Sequence, residues 1–351
     1  MGKLNIKLLK DICTAFGAPG FEHEIRNLVI KEVEPLVDEL TVDNMGNIHT
    51  VKRAKKNPEG KKVMVAAHMD EIGFIVTHID DHGFVRFHTL GGFDPKTLTA
   101  QRVVIHGKED IMGVMGCKPI HVMTPEERNK MPKNKDYFID CGMEADRVKE
   151  LIQVGNPITR EREFIEMGEC VNCKSIDNRV SVFVLLETLK NLKSVPYDVY
   201  GIFTVQEEVG LRGAQVAAHQ INPDFGFGLD TTIAYDLPGA QAHEQITSLG
   251  KGAAIKIMDA SAISDYRMVD FLKKVADEHK IPWQPEILTA GGTDTAAVQK
   301  TGKNGAISGA ISIPTRYLHQ VIEMANKKDI QASIDLLTKA LQSLDDFDWG
   351  F

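Results

Sequence analysis

From about residue 175 to the last helix, apolar strand segments alternate with helical ones, and that alternation leaves a chain few ways to fold. The run NRVSVFVLLETLKNL (178–192) predicts a helix that is apolar on almost every side, and DVYGIFTV (198–205) predicts a buried strand. LRGAQVAAHQI (211–221) follows as a helix, FGFGLD (225–230) as a short strand, 262–279 as an amphipathic helix and GAISGAISIP (305–314) as a glycine-rich buried strand. In the final helix Ile330, Ile334, Leu337, Leu341 and Leu344 recur with the helical period and share one face. Strands alternating with helices imply an α/β fold, a sheet sandwiched between helical layers. Towards the N-terminus, helices are predicted over 5–15 and 22–36, separated by the turn GAPG. A hairpin over 39–54 follows, turning at Asn44, Gly46 and Asn47, and then a strand at 63–68.

Between about 73 and 163 the texture changes. Short alternating runs such as GFVRFHTL, QRVVIHG and DIMGVMG, each bounded by glycine, predict a small β-barrel or sandwich. The polar run TPEERNKMPKNKD (124–136) reads as a solvated loop within it. The economical arrangement is an α/β domain made of 1–72 and 164–351, carrying a β-rich insertion at 73–163.

The net charge of −8 is spread over interspersed acids and bases, so the chain lacks the basic face that nucleic acid requires. No stretch is long and apolar enough to span a membrane. The N-terminal segment has no signal-peptide core, and Ile6 stands where an acylated Met-Gly start needs Ser or Thr; the expected location is the cytoplasm. Five scattered cysteines do not make a disulfide framework. Cys170 and Cys173 form a lone CxxC, which without a second pair reads as two ordinary thiols rather than as half a zinc site.

The informative residues are those that do not belong in a core. In VMVAAHMDEIGFIV (63–76), His68, Asp70 and Glu71 interrupt two apolar runs. Burying such charges without partners costs several kcal/mol or more. His68 and Asp70, two apart, point the same way from a strand or its C-terminal end, where open α/β sheets bind ligands. Taken singly, each candidate has a bland reading. His68 could be a satisfied core histidine, Asp177 a helix N-cap, Glu207 and Glu208 a solvated turn, Asp230 a turn residue and His319 a loop histidine. Jointly they recur at one kind of place: His68, Glu208, Asp230 and His319 at or just after strand ends, and Asp177 at a helix start. Two imidazoles and three carboxylates suit a pair of divalent ions, zinc or cobalt rather than magnesium or calcium.

HMDEIG, SIDNR, QEEVGLRGA, GLD, GGTDTAA and PTRYLH, in this order, resemble the M42 metallo-aminopeptidases, which include glutamyl and deblocking aminopeptidases and the tetrahedral peptidases. The resemblance spans nearly the whole chain. It implies a zinc-peptidase α/β domain whose insertion mediates dimerisation, and a tetrahedral dodecamer of such dimers. It further implies two divalent ions per subunit, zinc ahead of cobalt, and peptides as substrates. Asp177 would bridge the ions, His68 and Asp230 would complete one set, and Glu208 and His319 the other. Glu207 would be the general base on the bridging water, Asp70 would orient His68, and the Asp177–Asn178 peptide would be cis. Asp294, in the glycine-rich GGTDTAA loop, would contact substrate. Asn178 and Gln320 depart from the residues commonest in that family at their positions. A glycoside hydrolase also needs paired carboxylates but has no use for His68 and His319, and a metal-stabilised scaffold has none for Glu207.

Overall fold

The computed structural model describes residues 4–350; the Met1-Gly2 start lies outside them. Helices α1 (Ile6–Thr14) and α2 (His23–Val33) lead into the hairpin β1 (Glu39–Val42) and β2 (Ile48–Lys52), and then strand β3 (Lys62–His68). Six strands then close a barrel: β4 (Gly73–Ile79), β5 (Val85–Leu90), β6 (Arg102–His106), β7 (Asp110–Cys117), β8 (Tyr137–Asp140) and β9 (Pro157–Arg160), in the order β4-β5-β8-β7-β6-β9. Two short helices, α3 (Pro125–Arg128) and α4 (Ala145–Leu151), interrupt the run. The barrel has its own core around Phe74, Val103, Ile105, Ile139 and Ile158. The stretch 124–136 is largely exposed, though it coils into α3 and a 3-10 turn rather than staying extended.

The chain then re-enters the main sheet through β10 (Ile165–Met167) and β11 (Cys170–Cys173). It continues with α5 (Ile176–Asn191), β12 (Asp198–Thr204), α6 (Arg212–Ile221), β13 (Phe225–Ile233), β14 (Ala253–Met258), α7 (Tyr266–His279) and β15 (Trp283–Ile287). The last elements are α8 (Asp294–Lys300), β16 (Ile307–Arg316), β17 (Glu323–Asn326) and α9 (Lys327–Gln342). This is an 11-stranded mixed sheet with β12, β3, β13 and β16 parallel at its centre.

Alternation along β3 shows how the sheet is covered. Val63, Val65 and Ala67 enter the large core with α1, α2, α5, α7 and α9, while Met64 and Ala66 join a smaller core with α6 and α8. His68 continues the second set. The α5 helix lies between the sheet and its neighbours and is buried nearly all round, as its composition requires. Ile330, Ile334, Leu337 and Leu341 are buried along α9, and Leu344 packs just beyond it in a 3-10 turn.

One expected boundary moves in a way that matters. The strand predicted to stop at Asp230 runs on to Ile233, because β13 keeps pairing with β16 as far as Thr315. Its other neighbour gives out earlier: β3 pairs with β13 only as far as Leu229 opposite Ala67. Asp230 is therefore the first β13 residue beside which the sheet opens.

Candidate metal centre

The opening lies at the C-terminal ends of the parallel strands, where a ligand crevice is expected. His68 is the last residue of β3, opposite Thr204 at the end of β12. Glu207 and Glu208 follow in the loop from β12 to α6, and Asp230 stands on β13. Asp177 occupies the first turn of α5, where it and Asn178 leave helical geometry across a cis peptide. His319 sits in the loop between β16 and β17.

The six side chains converge. His68 Nε2 lies 3.5 Å from Asp177 Oδ1, 3.7 Å from Asp230 Oδ1 and 3.8 Å from Glu207 Oε2. His319 Nε2 lies 3.5 Å from Asp177 Oδ2 and 3.6 Å from Glu208 Oε2. Asp177 thus presents one oxygen to each imidazole. Donor atoms about 2.1 Å from a tetrahedral ion stand about 3.4 Å apart, close to these separations, so the donor set fits divalent ions held by nitrogen and oxygen. The ligand atoms of His68, Glu207 and Asp230, and those of His68, Asp177 and Glu208, each group within 4.8 Å.

Each imidazole is oriented through its other nitrogen. His68 Nδ1–H donates to the backbone carbonyl of Asp70 at 3.1 Å, and His319 Nδ1–H to the carbonyl of Gly92 at 2.8 Å. Gly92 belongs to the inserted segment, so the barrel helps aim a residue of the main domain. The Asp70 carboxylate is farther from the His68 ring, at 3.5 Å. Its oxygens instead accept the backbone N–H groups of Glu207 and Glu208, at 3.0 and 3.1 Å. Counting back along the same segment, Glu22 Oε1 accepts the N–H of Gln206 at 3.2 Å and Asn47 Oδ1 that of Val205 at 3.0 Å. Four successive N–H groups are held by side chains from three other parts of the chain. This pins a turn in which Gln206 adopts φ +55°.

The charges are frustrated. Burial opposes ionisation of His68 and His319, yet the carboxylates outweigh it. Glu207 with Asp177 and Asp230 holds His68 well above the ordinary histidine range, and Glu208 with Asp177 holds His319 at about 10. Burial, then repulsion from neighbouring acids, raises Glu207 strongly and Glu208 to about 7. Asp230 is raised by the same causes. Asp177 is held well below the usual carboxylate range because its two imidazole neighbours overcome its burial. A cluster of acids that resist ionising together is what bound cations relieve.

Asp294, expected to contact substrate, is not among the residues that line the cavity. Gly291, Gly292 and Thr293 line the cavity of about 560 Å³ that opens beside the cluster, together with Thr231–Ile233, Lys256 and Leu288. Asp294 itself opens α8 and is buried, accepting from Thr204 Oγ1 at 2.5 Å, with its pKa raised to about 7 chiefly by burial. Cys170 and Cys173 occupy one extended strand, which keeps residues three apart about 10 Å from each other. That is beyond the reach of a disulfide, and both are free.

Fold and site together define a metal-dependent peptidase. The family model for M42 glutamyl aminopeptidases matches residues 46–336. The lysyl aminopeptidase of Pyrococcus furiosus is 32% identical over 98% of both chains. Aminopeptidase APDkam598 from Desulfurococcus kamchatkensis superposes with a TM-score of 0.92 at 36% identity, over 96% of this chain and 94% of that one. The TET1 peptidase of Pyrococcus horikoshii, described as assembling into a tetrahedron or a large octahedral shell, superposes at 0.84 with 30% identity, over 96% and 98%. The chain belongs to the M42 glutamyl aminopeptidase family and is a metal-dependent aminopeptidase.

Proposed function

We propose a dinuclear aminopeptidase that removes the N-terminal residue of peptides. The observation that carries this reading is Asp177, with one carboxylate oxygen turned to His68 and the other to His319. His68, Asp177 and Asp230 would hold one divalent ion, and Asp177, Glu208 and His319 the other, with zinc ahead of cobalt. When bound there, such ions would supply Lewis-acid polarisation of the scissile carbonyl and would lower the pKa of water to near neutrality. Glu207 also groups with His68 and Asp230, and in this reading it faces the attacking water, whose proton it would take and return to the departing amine. The adjoining cavity is large enough for a terminal residue and its side chain.

The insertion at 73–163 serves as the dimer contact, and dimers close into a shell of the kind described for the horikoshii peptidase. Metal content and kinetics of two variants test the core of the proposal. Glu207→Gln keeps two ions and loses about 10²–10⁴ in kcat with little change in KM. Glu208→Gln loses an ion, with partial rescue by excess metal. The reverse pattern swaps the two roles, and near-normal turnover in both defeats the mechanism. A carboxylate-only glycosidase would be indifferent to EDTA, which should abolish this activity.

A further inference from the structure

Asp177 and His319 are far apart in the sequence, yet one buried side chain holds the backbone of both. Glu323 opens β17 and is fully buried. Its Oε2 accepts the N–H of Asp177 at 2.9 Å and its Oε1 the N–H of His319 at 3.0 Å. We propose that Glu323 is a positioning residue that sets the spacing between the bridging carboxylate and the second imidazole, and thereby the affinity for the second ion. This rests on the dinuclear reading above.

His319 needs such support. Its side chain is about a third exposed and its backbone adopts φ +61°, a conformation that costs a non-glycine residue on the order of 1 kcal/mol or more and persists where surroundings impose it. Two contacts impose it. Gly92 fixes the ring, and Glu323 fixes the N–H. Glu323 is itself anchored from two sides. The ladder between β11 and β17 pairs it with Cys173, and Asn172 Nδ2 donates to its carbonyl oxygen at 3.0 Å.

Both Glu323 oxygens act as acceptors, one for the N–H of each ligand residue. Burial pushes the Glu323 carboxyl well above the ordinary carboxylate range, against the opposing pull of Arg160, the last residue of barrel strand β9, whose Nη2 donates to the Lys174 carbonyl at 2.6 Å. The barrel segment reaches the second ion's ligands through Gly92 on His319. An amide in place of the carboxylate offers one acceptor for two N–H donors. Either Asp177 or His319 is then left facing an NH₂ group.

The test uses full-length protein stripped of metal and titrated with Co²⁺, followed by calorimetry and by the cobalt absorption spectrum. Wild type should take up two equivalents. Glu323→Gln should bind the first nearly as wild type does and the second about 10- to 100-fold more weakly, with an altered spectrum for that equivalent. Activity at limiting metal should fall and recover with excess. Glu323→Asp retains the carboxyl group on an arm one methylene shorter, which cannot span both N–H groups. It should show the same selective loss, and it serves if the amide variant does not fold. Wild-type affinity for both ions in either variant overturns the proposal, as does equal weakening of both, which marks general loosening. A wild-type protein that binds fewer than two ions defeats the dinuclear reading itself and leaves the geometry of Glu323 untouched.

Discussion

Asp70 presents a choice between two roles that Asp70→Asn can separate. If its carboxylate orients His68, the substitution should disturb the imidazole. The structure points elsewhere: the His68 Nδ1–H bond goes to the backbone carbonyl of Asp70, which substitution leaves in place, while the carboxylate oxygens hold the N–H groups of Glu207 and Glu208. An asparagine keeps one acceptor and turns an NH₂ towards the other N–H. The loss is one hydrogen bond to a charged acceptor, about 1.5–3 kcal/mol, or roughly 10- to 150-fold if it falls entirely on the reacting geometry. We therefore expect kcat to fall by that factor, the ion held by Glu208 to bind more weakly, and the ion held by His68 and Asp230 to stay. Metal analysis after graded dialysis and ¹⁵N spectra of the imidazoles measure both halves. Loss of the His68 ion first, or a changed His68 tautomer with the Glu208 ion intact, would refute the backbone-clamp argument and restore the direct role.

Asp177→Ala should lose both ions, whereas His319→Ala should chiefly weaken one; full occupancy in Asp177→Ala by metal analysis contradicts the bridge. In the metal-free protein, burial and repulsion raise Glu208 from 4.5 and Asp294 from 3.8 to about 7, while neighbouring carboxylates raise His319 from 6.5 to about 10. Raised folded-state values mean that the fold binds these protons more tightly than the unfolded chain does. Their stabilisation is present below the unfolded values and is lost as pH rises, for the two acids from about 4 to about 7 and for the histidine from about 6.5 to about 10. The increase in Tm on adding zinc should accordingly grow between pH 5 and 8; a constant increment would show that the cluster is not the source. In light scattering the protein should run as a closed multiple of dimers, and a stable, fully active monomer on dilution would contradict the assembly.

What the sequence disclosed and what it hid have a common physical reason. Long elements were legible, α5, β3 and β16 as continuous apolar runs and α9 by its helical period, because burial dictates their composition over many residues. The short strands β10, β11, β14, β15 and β17 were not, because sequences such as EMAN and CVNC carry too few residues to show a period and are held by their neighbours in the sheet. The site divides in the same way. Residues offered to a ligand stand out jointly, since two histidines and several acids recurring at strand ends have no shared structural excuse. Residues that hold those ligands have an ordinary excuse each. Glu22 looks like an acid at a helix start, Asn47 like a turn residue and Glu323 like an ordinary acid ahead of the last helix. Glu71 shows how thoroughly such partners hide. Its charge, unexplained in the strand run 63–76, is met by Lys174 at 2.5 Å and by Arg179 at 3.5 Å, from segments a hundred residues further on. Arg179 also donates to the carbonyls of Met69, Ile12 and Ala15, tying the end of β3 to α1 and α5. The strand-end charges thus had three kinds of partner. His68 faces the carboxylate cluster, Asp70 holds the backbone of the glutamate pair, and Glu71 neutralises the cations that fasten the crevice to the helical layer beneath it. Only the first would touch a metal directly, so stripping the ions should unload the cluster while leaving its frame folded.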